Sequence, residues 1–342
     1  MAKATMRDVA RLAGVSIATV SSVINGTARV SERRAALVLK AMEALDYHPD
    51  QVARSLKVGR TNVIGMVIPD ITNAFFPEVV RGAEDAARSQ GYSVILCNSN
   101  EDPEQERSHL NTLASRRVDG VLIACADAFS AYESLRPRQF PVVFVDRIPR
   151  GLSRDSVCTN NIDASRAATR HLIELGHERI AFISGKLTLS PHADRLEGFR
   201  KAMQEANLVV RNEYVRSGDL RVDSGYVSAL ELVQVPDPPT AIITSNNKML
   251  LGCMRALAES KIPCPDRVSV IGFDDYVWTE HFTPRITVVA QPTYEIGRRA
   301  LEMLLDGIRS AAEGRQTSHP AVLLNAELRI RESTAPPRTA TV

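Results

Sequence analysis

The sequence predicts an all-α helix-turn-helix head over residues 1–48, followed by an α/β core of two doubly wound parallel-sheet subdomains. Three observations carry this expectation. Residues 5–45 show apolar positions at helical spacing, interrupted by a glycine turn. From Asn62 onward, short β-branched runs alternate with amphipathic stretches. The alternation continues for roughly 280 residues, more than a single core comfortably organises.

The head is centred on Thr5 to Asn25. Thr5 and Asp8 form a capping-box-like pair, and Met6, Val9 and Leu12 recur at helical spacing. Gly14 permits the backbone that ends a helix, Val15 fills the turn, and Ser16 suits the start of a second helix. On that helix Val20 and Ile24 are expected inside. Ile17, Ala18, Ser21, Ser22 and Asn25 are expected outside, forming a face of short residues without a carboxylate. Such a face can approach phosphates and base edges closely, as a recognition helix must. Ser31 is expected to cap a third helix, with Ala35, Val38, Met42 and Leu45 inward. Charge supports the assignment: residues 1–60 carry ten basic and five acidic groups, +5, while the whole chain is +2. A basic head on a mildly acidic remainder suits a polyanion partner for the head alone.

After the third helix, Pro49 stops the pattern and Asp50 can cap a short helix ending at Leu56, followed by the basic connector Lys57 to Thr61. Residues 49–61 are therefore read as a hinge helix and linker; so short a helix is unstable alone. The predicted strands are Val63–Ile68, Val94–Cys97, Val121–Ala124, Val142–Val145, Ile180–Ile183, Ala241–Thr244 and Val268–Ile271, each apolar on both faces. Helical stripes follow: Val80, Ala83 and Ala87; Ala168, Leu172 and Leu175; Tyr226, Ala229, Leu230 and Val233; Leu250, Cys253 and Leu257; Leu301, Leu304, Leu305 and Ile308. The core is placed at 62–333, its first subdomain at 62–160 plus 288–320 and its second at 161–287 plus 321–333. The Pro- and Thr-rich tail, 334–342, is expected to be disordered. No internal repeat is legible beyond the βα alternation.

Other classes are disfavoured. There is no apolar run long enough to cross a bilayer and no apolar leader at the N-terminus. The five cysteines are odd in number, widely spaced and without a Cys-x-x-Cys pair, which reads as reduced core residues of a cytoplasmic protein. The seven histidines lack ligand spacing, so no metal is expected. No glycine-rich phosphate loop and no nucleophile triad is evident, and neither an enzyme nor a cofactor is predicted.

These segments together resemble the LacI family of bacterial transcriptional regulators, which includes the lac and purine repressors. The matching stretches are MRDVARLAGVSIATVSSVING, ARSLKVGRTNVIGMVIPD, RRVDGVLIAC, PVVFVDR, HLIELGHERIAFISG, DRLEGFRKAM, VSVIGFDD and LLNAELRIRES, in order across nearly the whole chain. The resemblance implies a core like the periplasmic sugar-binding proteins, a homodimer, a palindromic double-stranded DNA operator and a small-molecule effector. It places base reading on Ile17, Ala18 and Ser22, with Ile17 and Ala18 suited to thymine methyls. Ser21 and Asn25 would contact phosphates; Thr5, Ser16, Thr19 and Arg29 complete the expected DNA face of the head. In the hinge, Leu56 matches an intercalating wedge, flanked by Val52, Ala53, Ser55 and Lys57; ordinary packing is the alternative for Leu56. For the effector, Arg195 and Asp274 match a polar clamp, with a mutual salt bridge as the alternative. Asn73, Phe75, Phe76, Asp146, Asn246 and Trp278 are further candidates; the phenylalanines could instead be core, and Trp278 could stack on a sugar ring. Leu189 and Pro191 stand where the purine repressor holds its base with arginine and threonine. Asn160-Asn161 and Asn246-Asn247 stand where Asp-Asn and Asn-Asp are common. A sugar or sugar acid is therefore the expected effector, and a purine is disfavoured. A transport-type sugar-binding protein and an effector-independent architectural DNA binder are the alternatives.

Overall fold

A computed structural model describes residues 4–25, 30–47, 60–127, 140–149, 155–315 and 320–338. The chain divides into two compact units, Met1–Thr61 and Asn62–Val342.

In the first unit the helices are α1 (Met6–Ala13), α2 (Ile17–Asn25) and α3 (Glu32–Ala44). Thr5 and Asp8 make the reciprocal capping box, and Gly14 ends α1 at φ 65°. The Thr19 amide donates to Ser16 Oγ at 3.1 Å, so Ser16 caps α2. Val9, Ala10, Ala13, Val20, Val38 and Ala41 form the core, with Met6, Val15, Ile24, Met42 and Leu45 packed on it. Two expectations change. Leu12 is 56% exposed, because the buried stripe of α1 runs through Val9, Ala10 and Ala13 instead. Ser31 stands at the start of α3 in extended conformation, but its side chain makes no capping bond.

Among the described residues the second unit holds two six-stranded sheets. The first contains β1 (Val63–Ile68), β2 (Ser93–Asn98), β3 (Gly120–Ile123), β4 (Val142–Val145), β5 (Ser156–Thr159) and β11 (Val322–Leu324), in the order β11-β5-β4-β3-β1-β2. The second contains β6 (Ile180–Ser184), β7 (Val215–Ser217), β8 (Ala241–Thr244), β9 (Ser269–Phe273), β10 (Thr287–Ala290) and β12 (Glu327–Arg329), in the order β12-β10-β9-β8-β6-β7. All pairings are parallel except β10 with β12. Read by position, the two orders are the same. The βα alternation is thus a structural repeat that the amino-acid identities conceal.

The chain crosses between the sheets after β5, after β10 and between β11 and β12. Val288–Ala290 therefore belongs to the second sheet and Val322–Leu324 to the first. The expected boundaries at 288 and 321 fall a few residues early, because β10 and β11 are too short to show which sheet they join. Helix α4 (Phe75–Ser89) packs on α11 (Thr293–Ala312), and each approaches through a glycine. A Cβ at Gly82 would lie 2.0 Å from the Tyr294 carbonyl oxygen, and one at Gly297 would lie 1.9 Å from that of Val79. Buried Ile64, Met66, Phe76, Val79, Leu122, Ile296, Leu301 and Leu304 fill the layer between these helices and the sheet.

The expected disorder of the tail is corrected for Thr334–Arg338. His171 bonds Thr334 at 3.0 Å, His177 bonds the Ala335 carbonyl at 2.9 Å, and Arg338 pairs with Asp266 at 3.0 Å. Residues 339–342 lie outside the described residues.

One buried group stands out in the first subdomain. Glu106, on α5 (Pro103–Ser115), is fully buried. One carboxylate oxygen accepts the Ala126 amide at 2.6 Å, and the other has no partner among the described residues. Burial pushes its pKa up to about 7, against the Ala126 bond and the Arg147 charge. A raised folded pKa means that the stabilising contribution is complete below the ordinary carboxyl value of 4.5 and is lost as pH rises through about 7. Glu106→Gln keeps the acceptor and removes the titration. Urea unfolding at pH 8 should show the variant more stable than the wild type by about 1–3 kcal/mol, with the difference vanishing near pH 4.5. Parallel pH profiles would contradict this account of Glu106.

Candidate effector cleft and DNA-binding face

Each sheet delivers an aspartate to the same cavity. Asp146 follows β4 directly and Asp274 follows β9, the strands holding equivalent places in the two sheet orders. Both adopt left-handed backbone, at φ 61° and 75°, as does the neighbouring Leu220 at 76°. Non-glycine residues rarely take this conformation, and it tends to cluster at functional sites. Carboxyl ends of parallel strands are where open α/β sheets bind ligands.

The cavity between them has a volume of about 30 Å³. That is far below the roughly 300 Å³ of small ligand pockets. Asn73, Phe75, Phe76, Asp146 and Arg147 line it from one side, and His192, Arg195, Asn246, Asp274 and Gln291 from the other, with Pro191 and Leu220 completing it. The two subdomains approach closely around this cavity, leaving it narrow.

Arg195 projects from α7 (Ser190–Glu205). Its Nε donates to Asn161 Oδ1 at 2.7 Å and its Nη1 to the Ser245 carbonyl at 2.6 Å, while the guanidinium lies 4.1 Å above the Phe273 ring centre. The Asp274 oxygens each accept a neutral amide, Gln291 at 2.5 Å and Asn247 at 2.9 Å. Thr159 in turn orients Gln291 at 2.7 Å. Among the described residues no ion pair joins Arg195 to Asp274, so the mutual salt bridge weighed from the sequence is not formed. Arg147, by contrast, is committed: it makes a two-pronged pair with Glu101 at 2.7 and 2.8 Å.

Burial raises the pKa of Asp146 to about 6, against the charges of Arg195 and Arg147; Asp274 adds to the rise. Burial likewise raises Asp274, opposed by Arg195 and by the two amides. Burial and the two arginines hold His192 well below the ordinary value, so its imidazole is neutral. The cavity thus offers one guanidinium without an ion pair, two carboxyl groups, neutral amides and an imidazole, with Phe75 and Phe76 in the lining. Groups that both accept and donate at such density suit a small, hydroxyl-rich molecule.

Phe75 and Phe76 prove to be core and lining at once: they are buried, stacked edge to face at 5.0 Å, and reach the cavity. Asn246 lines the cavity but spends its carbonyl capping α9 (Asn247–Glu259) and its amide on the Leu220 carbonyl. Trp278 is not brought to the site. It lies on α10 (Val277–His281), packs on the second-sheet core, and meets Phe282 edge to face at 5.4 Å. Sequence reasoning overlooked Arg147, His192, Asn247 and Gln291; Asn247 had left a signal, as an amide where aspartate is common.

In the head, Ile17 is 45% exposed, Ser16 and Ala18 are exposed, and Thr19, Ser21 and Ser22 are half-buried. The first turn of α2 carries no acid. Thr5 is occupied by its cap. The backbone of Asn25 closes α2, but its side chain, with Arg29, Val52, Ala53, Ser55, Leu56 and Lys57, lies outside the described residues.

Residues 5–50 match the bacterial regulatory proteins of the lacI family, and residues 169–334 match a periplasmic binding protein-like domain. The HTH-type transcriptional repressor PurR of Vibrio vulnificus is 37% identical over 94% of this chain and 97% of its own. The lac repressor dimer bound to operator and an anti-inducer superposes with a TM-score of 0.86 at 27% identity, covering 98% of this chain and all of that one. The transcriptional regulator CelR in complex with cellobiose superposes at 0.73 with 32% identity, over 96% and 99%. These relatives regulate transcription and are not enzymes. Taken with the head and the twin-sheet core, the likeness shows that the chain belongs to the LacI family of bacterial transcriptional regulators.

Proposed function

We propose that the protein is a sequence-specific repressor that binds a palindromic operator as a homodimer and responds to a small neutral sugar entering the cleft. The observation that carries the effector class is the unpaired Arg195 facing Asp274 and Asp146 in one cavity. Arg147 pairs with Glu101 at 2.7 Å and lies 3.9 Å from Asp146, which leaves Arg195 and Asp274 as the charged groups of the lining without an ion pair. This favours an uncharged polyol over a sugar acid. Pro191 lines the cavity and Leu189 is buried beside it, so neither supplies a donor to a purine ring. A purine remains the second reading, because the curated relatives carry the name PurR.

The acid-free face of α2 supports DNA reading by Ile17, Ala18 and Ser22, with the hinge wedge Leu56 a proposal from sequence alone. Dimerisation is proposed from the likeness to the lac repressor dimer, which superposes over 98% of this chain. The absence of a membrane partner and a cytoplasmic location belong to the same reading; no described helix is long and apolar enough to cross a membrane.

A thermal-shift panel of neutral monosaccharides, sugar acids and purine bases tests the effector class. A neutral sugar at about 100 times its dissociation constant should raise the melting temperature of the wild type by several degrees. Arg195→Ala and Asp274→Ala should bind that sugar about ten- to a hundredfold more weakly by calorimetric titration, since each loses a charge-assisted hydrogen bond. Stabilisation by a purine alone would transfer the assignment to that class. For the head, Leu56→Ala should weaken operator binding at fixed salt while half-site preference persists. Equal affinity of mutant and wild type would make Leu56 a packing residue.

A further inference from the structure

Among the described residues, four side-chain contacts span the mouth of the cleft, and three come from two neighbouring residues at the start of α9. Asn247 donates to Asn73 Oδ1 at 2.8 Å while also donating to Asp274. Lys248 Nζ reaches Asp70 Oδ2 at 2.5 Å and Thr72 Oγ1 at 2.9 Å. Asp70 to Asn73 form the turn between β1 and α4, on the first subdomain; α9 belongs to the second. The fourth contact lies apart: the Ile148 amide donates to Ser190 Oγ at 2.9 Å.

The turn is built to receive the lysine. Asp70 Oδ1 accepts both the amide and the hydroxyl of Thr72, at 2.9 and 2.6 Å, which leaves Oδ2 for Lys248. The Ile71 amide is held by Asn98 Oδ1 at 2.9 Å, at the end of β2. Burial raises the Asp70 carboxyl, but hydrogen bonds from Lys248 and Thr72 outweigh it and leave the pKa below the ordinary value. Both side chains are about three-quarters buried, at 25% and 24% exposure. Neither contributes to the cavity lining. Their pairing therefore serves the relation between the subdomains rather than the ligand.

We propose that Asp70 and Lys248 form a latch across the cleft mouth that holds the two subdomains closed without a ligand. A ligand can shift this equilibrium only by its differential affinity for open and closed arrangements. The latch then sets how large that difference must be. This consequence rests on the effector reading above; the latch itself does not, and its test needs no ligand.

The test is a double-mutant cycle in the full chain with Asp70→Asn, Lys248→Met and the pair, followed by hydrogen–deuterium exchange. The readout is the peptide carrying the Ile148 amide, which bonds across the cleft but touches neither mutated residue. A peptide from β6, within one subdomain, serves as the internal control. Each single variant should raise exchange of the Ile148 peptide about two- to fivefold, the range for a partly exposed ion pair. The double variant should go no further than either single one, and β6 should not change. Unchanged exchange at Ile148 would overturn the latch. So would effects that multiply in the double variant, or a rise shared equally by β6, which reports global destabilisation.

Discussion

Arg195 shares a buried cavity with Asp146 and Asp274 in this protein without an ion pair to either, while Asp146 lies 3.9 Å from Arg147. Burying charge is costly unless hydrogen bonds satisfy it, and the cheapest solution would be a direct ion pair. The chain uses neutral partners instead. Asn161 and the Ser245 carbonyl hold Arg195; Gln291 and Asn247 hold Asp274. Much of the surrounding architecture serves this arrangement. Strands β4 and β9 end where their aspartates must turn, the crossover after β10 supplies Gln291, and the crossover after β5 supplies Asn161. A ligand with several hydroxyls can accept from the guanidinium and donate to the carboxylates, doing what an ion pair would otherwise do.

Asn247 links this arrangement to closure. A carboxylate at that position would face Asp274 at hydrogen-bond distance and repel it. The amide donates to Asp274 and across the cleft to Asn73. One residue therefore senses the site and the position of the opposite subdomain. The twin sheets make the geometry possible: because their strand orders correspond, both present the same edge of structure to the cleft.

How much of this was legible in the sequence depended on burial pattern. Strands dominated by apolar residues, such as Val63–Ile68 and Ala241–Thr244, declared themselves because both faces are covered. Ser156–Thr159 and Glu327–Arg329 did not: the first mixes serine and threonine into the core, and the second is a charged three-residue edge strand. Arg195 and Asp274 were found through family resemblance, and Asp274 also through its place after an apolar strand. His192 and Gln291 left no periodic signal, since what brings them to the cavity is the packing of two subdomains. Trp278 does not reach the cavity because Thr279 anchors a short helix there through Asp275 and Tyr276, and the indole packs on the second-sheet core. The tail was misjudged from composition, because the histidines that hold it are far away in sequence.

The central claim is that occupancy of the cleft is felt at the DNA. The most direct measurement is operator affinity of the full chain by fluorescence anisotropy at fixed salt, with and without the sugar that stabilises the core. Asp274→Ala is measured beside the wild type. The account predicts that saturating sugar changes the wild-type dissociation constant about five- to a hundredfold and leaves that of Asp274→Ala unchanged. A sugar that demonstrably binds the wild type yet leaves its operator affinity untouched would contradict it.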